Sequence, residues 1–366
     1  MKKILIFFFF FQSLSSQHDV IIKKIFDTSL TKSKAYEWLD YLSNQIGGRL
    51  SGSLEAQRAI EWSKSELDKL GFDKVWLQPV IVPRWVRGPK EFALIETDPG
   101  ITFNVPIAAL GGSVATPSVG LKANVIEVFN LKDLDSLGKK NIDGKIVFFN
   151  RPMDPKYISA FTAYGRAVDQ RALGAMEAVK YGAIGVIVRS MTLRLDDYPH
   201  TGGLTYGNLP LSKRIPAAAI STNGADKLSN LLKIKPDLKF LFRQQSKQLP
   251  DIKSYNVIAE KKGSEYPNEI ILIGGHLDSW DTGDGSHDDG AGVVHSMDLL
   301  NIFNSINYIP KRTIRIVLYI NEENGGRGSE KYKEISDKQK LNHIFAIESD
   351  AGGFRPLGFS FTTNNN

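Results

Sequence analysis

The last third of the chain contains a histidine and a series of acidic residues whose types and spacing suit metal binding. They are His276, Asp278, Asp288, Asp289, Glu322, Glu323, Glu348 and Asp350. The chain contains no cysteine, so any metal must be held by histidine and carboxylate side chains. Imidazole nitrogen with carboxylate oxygen suits zinc, and paired carboxylates also suit manganese or cobalt. Because like charges close together raise each other's pKa values, such a cluster is costly without bound cations, and the sequence predicts a metal site here.

A pair of metal ions in such a cluster would suit the hydrolysis of a peptide bond. Two ions held ~3.5–4 Å apart polarise a carbonyl group and activate a water molecule near neutral pH. A carboxylate that does not bind metal must then take the proton from that water. We therefore expect the cluster to contain both metal ligands and a general base.

Apolar runs place most of these residues at the ends of predicted strands. Residues 270–273, 314–320 and 344–347 are short apolar runs typical of buried strands, and residues 293–303 have the apolar spacing of a helix. Strands that alternate with helices predict an α/β fold with a mixed, mostly parallel sheet and helices on both faces. Because ligands in such sheets gather beyond the carboxyl ends of the strands, we expect the histidine and the acids to meet at one edge.

Residues 104–247 have a different pattern from the rest of the chain. Short β-rich runs alternate there with Gly, Pro, Asp and Asn, one helix is predicted at residues 171–181, and no His/Asp/Glu cluster has ligand spacing. We predict a separate β-rich module inserted into the α/β domain, which would be formed by residues 17–103 and 248–366.

The first residues have the three parts of a secretory signal. Lys2 and Lys3 precede an apolar run at residues 4–11, and small and polar residues follow. The run is too short to span a bilayer, which takes about 20 residues. A buried N-terminal strand is the alternative, but five successive phenylalanines argue against it. We predict that residues 1–16 are a cleaved signal and that the mature protein is secreted or periplasmic, with no stable membrane span.

The composition is that of a soluble globular protein. The 366 residues are 42% hydrophobic and 23% charged, and the chain is long enough for two domains. The formal net charge is +6, and subtracting the two lysines of the predicted signal leaves +4, with acids and bases interleaved. No basic run is interleaved with aromatic residues, so a nucleic-acid partner is not predicted.

Five motifs occur in the order found in a known enzyme family. They are residues 254–260 (SYNVIAE), 274–281 (GGHLDSWD), 288–290 (DDG), 322–323 (EE) and 348–350 (ESD). Together they make the chain resemble the zinc exopeptidases of the M28 family. Trp280 and Asp281, together with residues 47–53 (GGRLSGS), are similar to the carboxypeptidase Q branch of that family. Residues 143–147 and 182–187 of the insert are similar to a protease-associated domain.

The resemblance implies a site with two Zn²⁺ ions. His276 and Asp350 would bind the first ion. Asp288 would bridge both ions, and Glu323 would bind the second. The family's second ion takes a further histidine some tens of residues beyond position 350, and none of the six histidines lies there. The sequence therefore predicts a second site that lacks one ligand, in a chain truncated at its C-terminus.

The resemblance also implies the catalytic residues. Glu322 would be the general base that activates the water molecule and later protonates the leaving amine. Asp278 would orient the imidazole of His276, because it lies two residues further on the same side of an extended strand end.

Each of these residues also has a simpler interpretation. His276 alone would be a structural histidine, and Glu322 and Glu323 alone would be solvated acids. Asp288 would then serve the N-terminus of the following helix, which would leave Asp289 as a surface acid. The order of the motifs along the chain is what favours the metal site over these alternatives.

The predicted function is a secreted metallo-exopeptidase, a carboxypeptidase or dipeptidase that hydrolyses short unblocked peptides. An aminopeptidase of the same family is the nearest alternative. A binding protein that has this fold but no catalysis is a second alternative, which the absent last histidine favours. A nucleotide-binding protein would need a Gly-rich phosphate loop, and residues 283–285 lack that pattern. The family likeness further suggests a homodimer.

Overall fold

The computed structural model describes residues 19–350, 353–356 and 358–360, and the signal predicted at residues 1–16 lies outside them. The chain divides into two compact units, one made of residues up to Val82 and from Ile252 onward, the other of residues Pro83–Asp251. The predicted insert, residues 104–247, lies inside the second unit. That unit begins earlier than the change in sequence pattern because the strands Phe92–Asp98 and Ile101–Asn104 belong to its sheet.

The described residues form helices and strands in both units. The helices are α1 (residues 19–31), α2 (Ala35–Asp40), α3 (Leu54–Lys69), α4 (Lys132–Ile142), α5 (Ala160–Gly165), α6 (Val168–Ala172), α7 (Gly174–Ala178), α8 (Thr222–Ile234), α9 (Ala291–Ser305) and α10 (Arg327–Gln339), with π-helical turns at Tyr41–Ile46 and Ser286–Gly290. The strands are β1 (Lys74–Val86), β2 (Phe92–Asp98), β3 (Ile101–Asn104), β4 (Ile107–Ala109), β5 (Leu121–Val128), β6 (Ile146–Phe149), β7 (Gly185–Arg189), β8 (Ala217–Ile220), β9 (Lys239–Arg243), β10 (Lys247–Lys261), β11 (Tyr266–His276), β12 (Arg312–Tyr319) and β13 (Asn342–Glu348). Within this part of the chain, no helix combines the length and the apolar character needed to cross a bilayer.

The sheet of the first unit brings three strand ends to one edge. Its strand order is β1-β10-β12-β11-β13. β11 runs parallel to both β12 and β13, whereas β10 runs antiparallel to β12. His276 is paired with Tyr319 of β12, and Gly274 is paired with Glu348 of β13, so the three strands end nearly level. The predicted mixed α/β fold is confirmed, and the segments after these strands start side by side.

Helices cover both faces of this sheet. Successive residues of a strand point to opposite faces. Ile316 accordingly belongs to a buried cluster that includes Val293 of α9, whereas Val317 belongs to a cluster on the other face with Tyr332 of α10. Because burying such an aliphatic side chain contributes about 1.5–3 kcal/mol, both layers hold the strands, and hence their carboxyl ends, in fixed register.

The second unit contains an eight-stranded sheet of order β3-β2-β9-β5-β6-β7-β8-β4, in which β5 to β8 are parallel. The continuous helix predicted at residues 171–181 is wrong, because α6 ends at Ala172, α7 starts at Gly174, and a 3₁₀ turn follows at Val179–Tyr181. The interruption lies where the backbone passes the ring of Phe149. A Cβ added at Gly174 would lie 2.8 Å from that ring.

Candidate metal centre

The predicted metal ligands and the predicted general base meet at the carboxyl edge of the first unit's sheet. Nε2 of His276 lies 3.0 Å from Oδ1 of Asp288 and 3.7 Å from Oδ1 of Asp350. It lies 3.9 Å from Oε2 of Glu322. A carboxylate oxygen of Glu323 lies within 4.8 Å of ligand atoms of both His276 and Asp288. The structure thus brings together residues that are up to 74 positions apart in the sequence, as the strand-end pattern predicts.

The imidazole of His276 is buried and held in one orientation. Its Nδ1 lies 3.0 Å from the backbone carbonyl oxygen of Asp278. Because a carbonyl can only accept, Nδ1 carries a hydrogen, so the neutral form of the ring would present the lone pair of Nε2 to the acids. This tautomer is the one that a metal ligand needs.

Asp278 holds the imidazole and the two glutamates with different atoms. Its backbone carbonyl contacts the ring of His276, whereas its buried carboxylate accepts the backbone N–H groups of Glu322 and Glu323 at 3.1 and 3.4 Å. The prediction that Asp278 orients the imidazole therefore applies to its main chain. The side chain contacts the glutamates because the segments after β11 and β12 lie next to each other.

The two adjacent aspartates after β11 have opposite environments, and the alternative that makes Asp289 a surface acid is wrong. Asp289 is buried, and its carboxylate accepts the N–H of His276 at 2.9 Å and that of Gly292, in the first turn of α9, at 3.1 Å. Asp288 is the more exposed acid, and it is the one that faces His276. Backbone N–H groups thus occupy the carboxylate of Asp289, which leaves Asp288 available to a metal.

Two glycines leave the space that Asp289 occupies. A Cβ added at Gly275 would lie 2.5 Å from Oδ2 of Asp289. A Cβ added at Gly292 would lie 2.4 Å from Oδ1 of Asp289 and 1.8 Å from the carbonyl oxygen of Ser349. Because Ser349 directly precedes Asp350, the backbone at Gly292 fixes the position of a predicted ligand.

Gly292→Ala is expected to weaken both the fold and zinc binding. The added methyl group must displace either Asp289 or the backbone next to Asp350, and overpacking of this kind costs about 1–3 kcal/mol. Urea unfolding of the metal-free protein and a zinc titration measure the two effects. Gly283→Ala is the matched control, since a Cβ there would have no heavy atom within 4 Å. Equal zinc affinity in both variants would contradict the conclusion that the backbone at Gly292 fixes the position of Asp350.

The glutamate pair lies in a tight turn after β12. Asn321, at the start of the turn, has a left-handed φ of 71° and is fully buried. Glu322 is half-exposed at the rim, whereas Oε1 of Glu323 accepts the backbone N–H of Trp280 at 3.2 Å. The turn therefore directs Glu323 toward the β11 loop and leaves Glu322 accessible to a substrate.

The electrostatics of the cluster fit a cation. Burial, with repulsion from Asp288, raises the pKa of Glu323 to about 8. Burial, with repulsion from Asp350, raises the pKa of Asp289 to about 8. Burial opposes the charging of His276, but the carboxylates of Asp288 and Asp350 outweigh it and raise its pKa to about 12. The bond to His276 lowers the pKa of Asp288, so this acid stays charged beside the imidazole. A divalent metal would take over the role of the imidazolium proton among these acids.

The other described histidines lie outside this donor set. Both groups of described residues that could hold a metal contain His276, one with Asp289 and Asp350 and the other with Asp288 and Glu323. The remaining histidines bond elsewhere or face solvent: His200 contacts Tyr164, His343 contacts Tyr332, Nδ1 of His287 accepts the N–H of Gly353, and His295 is exposed on α9. His18 lies outside the described residues.

Arg49 also contributes to the site, although it is not among the residues predicted from the sequence. Its side chain is fully buried, and burial lowers its pKa to about 10, so the guanidinium stays charged at neutral pH. The carboxylates of Asp278 and Asp289 interact favourably with this charge. The Gly-rich sequence around Arg49 does not reveal which groups after β11 accept its hydrogen bonds, because those groups lie more than 200 positions away.

The chain is similar to known peptidases in sequence and in structure. The family model described as Peptidase family M28 matches residues 256–366. The chain is 37% identical to carboxypeptidase Q of Xenopus laevis over 353 residues, which cover 95% of this chain and 72% of the relative. It matches the crystal structure of a Peptidase M28 precursor from Shewanella amazonensis SB2B with a TM-score of 0.84 and 36% identity, covering 90% of this chain and 73% of that one. A zinc aminopeptidase from Bacillus subtilis shares the fold, with a TM-score of 0.62 and 22% identity over 87% of this chain and 68% of that one.

Proposed function

Because this chain belongs to peptidase family M28 and is a zinc metallopeptidase, we propose that it hydrolyses short unblocked peptides at a site for two zinc ions. The observation that carries the proposal is the position of Nε2 of His276, 3.0 Å from Asp288 and 3.7 Å from Asp350 at the carboxyl edge of a sheet. A buried nitrogen donor facing two half-exposed carboxylates suits zinc better than it suits a structural ion pair.

The family resemblance divides the ligands between two ions. His276 and Asp350 would hold the first ion. Asp288 would be shared by both ions, and Glu323 would hold the second. When bound, zinc polarises the scissile carbonyl group and lowers the pKa of a water molecule. Zinc content of one or two ions per chain is the direct measure of how far the second site is occupied.

Glu322 is the general base of the proposed reaction. Its carboxylate is half-exposed at the rim, with Oε2 3.9 Å from Nε2 of His276. Burial, with repulsion from Asp278, raises its pKa above the ordinary value for glutamate, which favours proton uptake. An oxygen of Glu322 takes the proton of the attacking water and passes it to the nitrogen of the leaving amine. Asp278 keeps the carboxylate in place through its bond to the N–H of Glu322.

A requirement for a free peptide C-terminus follows from the similarity to carboxypeptidase Q. The aminopeptidase alternative has weaker support, since the 22% identity to the Bacillus subtilis zinc aminopeptidase concerns the fold alone. We therefore assign a carboxypeptidase or dipeptidase activity to the site.

Blocked dipeptides separate the candidate activities. The zinc-loaded protein is expected to cleave an unblocked dipeptide and to lose at least about 100-fold in kcat/KM, or about 2.7 kcal/mol, when the C-terminus is amidated. Chromatography of the released amino acids measures the rates. Cleavage of the amidated peptide together with inertness of an N-acetylated one would identify an aminopeptidase. Zinc binding without any hydrolysis would favour a binding protein.

We further propose that the enzyme is exported, that its second unit contains a protease-associated domain and that it forms a homodimer. The basic and apolar residues 2–11 support a secretory signal and a secreted or periplasmic enzyme. Residues 143–147 and 182–187, which lie in the second unit, support a protease-associated domain there. The family likeness supports a homodimer, which light scattering of the purified protein measures.

A further inference from the structure

Residues 47–53 form a short connection between the π-helical turn Tyr41–Ile46 and α3, and two of its polar side chains, Arg49 and Ser51, are fully buried. Both side chains bond to the loops that carry the candidate ligands, and Arg49 does so across 228 positions of sequence. We propose that this 47–53 segment is a positioning element that sets zinc affinity and turnover by holding both loops. The inference rests on the proposed zinc peptidase function and adds two positioning residues to it.

Arg49 ties together the two ends of the loop after β11. Its Nε donates to the carbonyl oxygen of Leu277 at 2.6 Å, Nη1 to that of Asp284 at 3.1 Å and Nη2 to that of Gly285 at 2.9 Å. Leu277 directly follows the histidine of the site, and the other two acceptors lie shortly before the DDG motif. One rigid guanidinium group therefore sets how far the imidazole lies from the Asp288 carboxylate.

The geometry of these bonds requires arginine. A guanidinium presents five N–H donors on three nitrogens in a plane, whereas a lysine ammonium presents its donors on a single nitrogen. The acceptors of Arg49 are neutral carbonyl groups, so the bonds fix the backbone and do not neutralise a particular acid. Arg49→Lys keeps the positive charge near the acids but loses most of the bonds, which separates positioning from charge.

Ser51 holds the turn that carries the two glutamates. Its Oγ donates to Oδ1 of Asn324 at 2.7 Å and accepts from Nδ2 of Asn321 at 3.0 Å. These asparagines flank Glu322 and Glu323 on both sides. The carboxylate of Asp278 already holds the two glutamate N–H groups, so the serine hydroxyl fixes the turn from a second direction.

The backbone of the segment packs directly against the β11 loop. A Cβ added at Gly48 would lie 2.8 Å from the carbonyl oxygen of Gly283 and 2.9 Å from Cα of Asp281. No side chain could fit between the two backbones there, so a shift of the segment is transmitted to the loop. Misplacing reacting groups by 1 Å costs about 100-fold in rate.

Zinc titration calorimetry of the full chain with Arg49→Lys and Ser51→Ala tests the proposal. Arg49→Lys is expected to weaken zinc binding by about 10–100-fold, the loss typical of residues that orient metal ligands. Ser51→Ala is expected to lower kcat on an unblocked dipeptide by about 10–100-fold while KM changes less than about threefold, because Glu322 acts on the water and not on the bound peptide. Ser51→Ala removes one hydroxyl group, so it keeps the test available if Arg49→Lys does not fold.

Two matched variants control for general damage to the fold. Arg315→Lys alters another buried arginine of the same unit, which bonds to Glu260 and Tyr332. Ser63→Ala alters a fully buried serine that bonds to a carbonyl within α3. The proposal is overturned if the test variants keep wild-type zinc affinity and kcat, or if the controls lose as much at an equal Tm of the metal-free protein. A wild-type protein that binds no zinc would instead overturn the proposed function, and this inference with it.

Discussion

Glu322→Gln is expected to lower kcat by about 10²–10⁴-fold, the contribution typical of a general base, while zinc content stays at the wild-type level. Glutamine has nearly the same shape as glutamate, but its amide cannot take a proton from water at neutral pH. The ligands His276, Asp288 and Asp350 are unchanged in this variant. The expected result is thus a folded, zinc-loaded and nearly inactive protein, measured by dipeptide hydrolysis and by metal analysis.

The stability of the metal-free Glu322→Gln variant gives an independent check. Burial and repulsion from Asp278 raise the pKa of Glu322, so its charged form costs more in the folded protein than in the unfolded chain. Removing that charge is expected to leave Tm unchanged or higher. Glu330→Gln, at an exposed position of α10, is the matched control and should retain full activity. Activity of Glu322→Gln near the wild-type value would exclude this residue as the base.

Strongly apolar runs made part of the fold predictable. The run at residues 314–320 corresponds to β12 (Arg312–Tyr319), and residues 293–303 lie inside α9. Such runs are informative because most of their side chains are buried in the structure. β10 is different, since residues 247–253 of this strand are mostly exposed and include Pro250. Because this part of β10 is polar and exposed, it has no apolar periodicity. The strand with which it pairs cannot be inferred from its own sequence.

Those residues of the candidate site that lie at or just after strand ends could be predicted from the sequence. His276 is the last residue of β11 and Glu322 lies three residues after β12, so the parallel pairing of the two strands suffices to bring them together. The separate environments of Asp288 and Asp289 depend on tertiary packing at Gly275 and Gly292, which adjacent acids in a sequence do not reveal. The role of Arg49 depends on carbonyl groups that every residue possesses, so no side-chain pattern identifies its partners.

His276→Ala is expected to abolish zinc-dependent hydrolysis and to weaken zinc binding by more than about 100-fold, since loss of a direct ligand exceeds the loss caused by altering an orienting residue. Nε2 of His276 is the nitrogen donor shared by both groups of described residues that could hold a metal. Its removal leaves only carboxylates, which favour harder cations than zinc. His295→Ala is the matched control, because that histidine is exposed on α9.

Thermal unfolding with and without zinc tests the same residue without relying on activity. A ligand that binds only the folded state stabilises it by about 2.7 kcal/mol at 100 times its dissociation constant, so zinc should raise the Tm of the wild type and of His295→Ala but hardly that of His276→Ala. The metal-free His276→Ala variant is also expected to be less stable than the wild type. The pKa of His276 is raised to about 12 by Asp288 and Asp350, so the imidazolium offsets their charge at neutral pH, and alanine does not. A zinc-induced rise in Tm that is equal in the wild type and His276→Ala would place the metal site elsewhere in the protein.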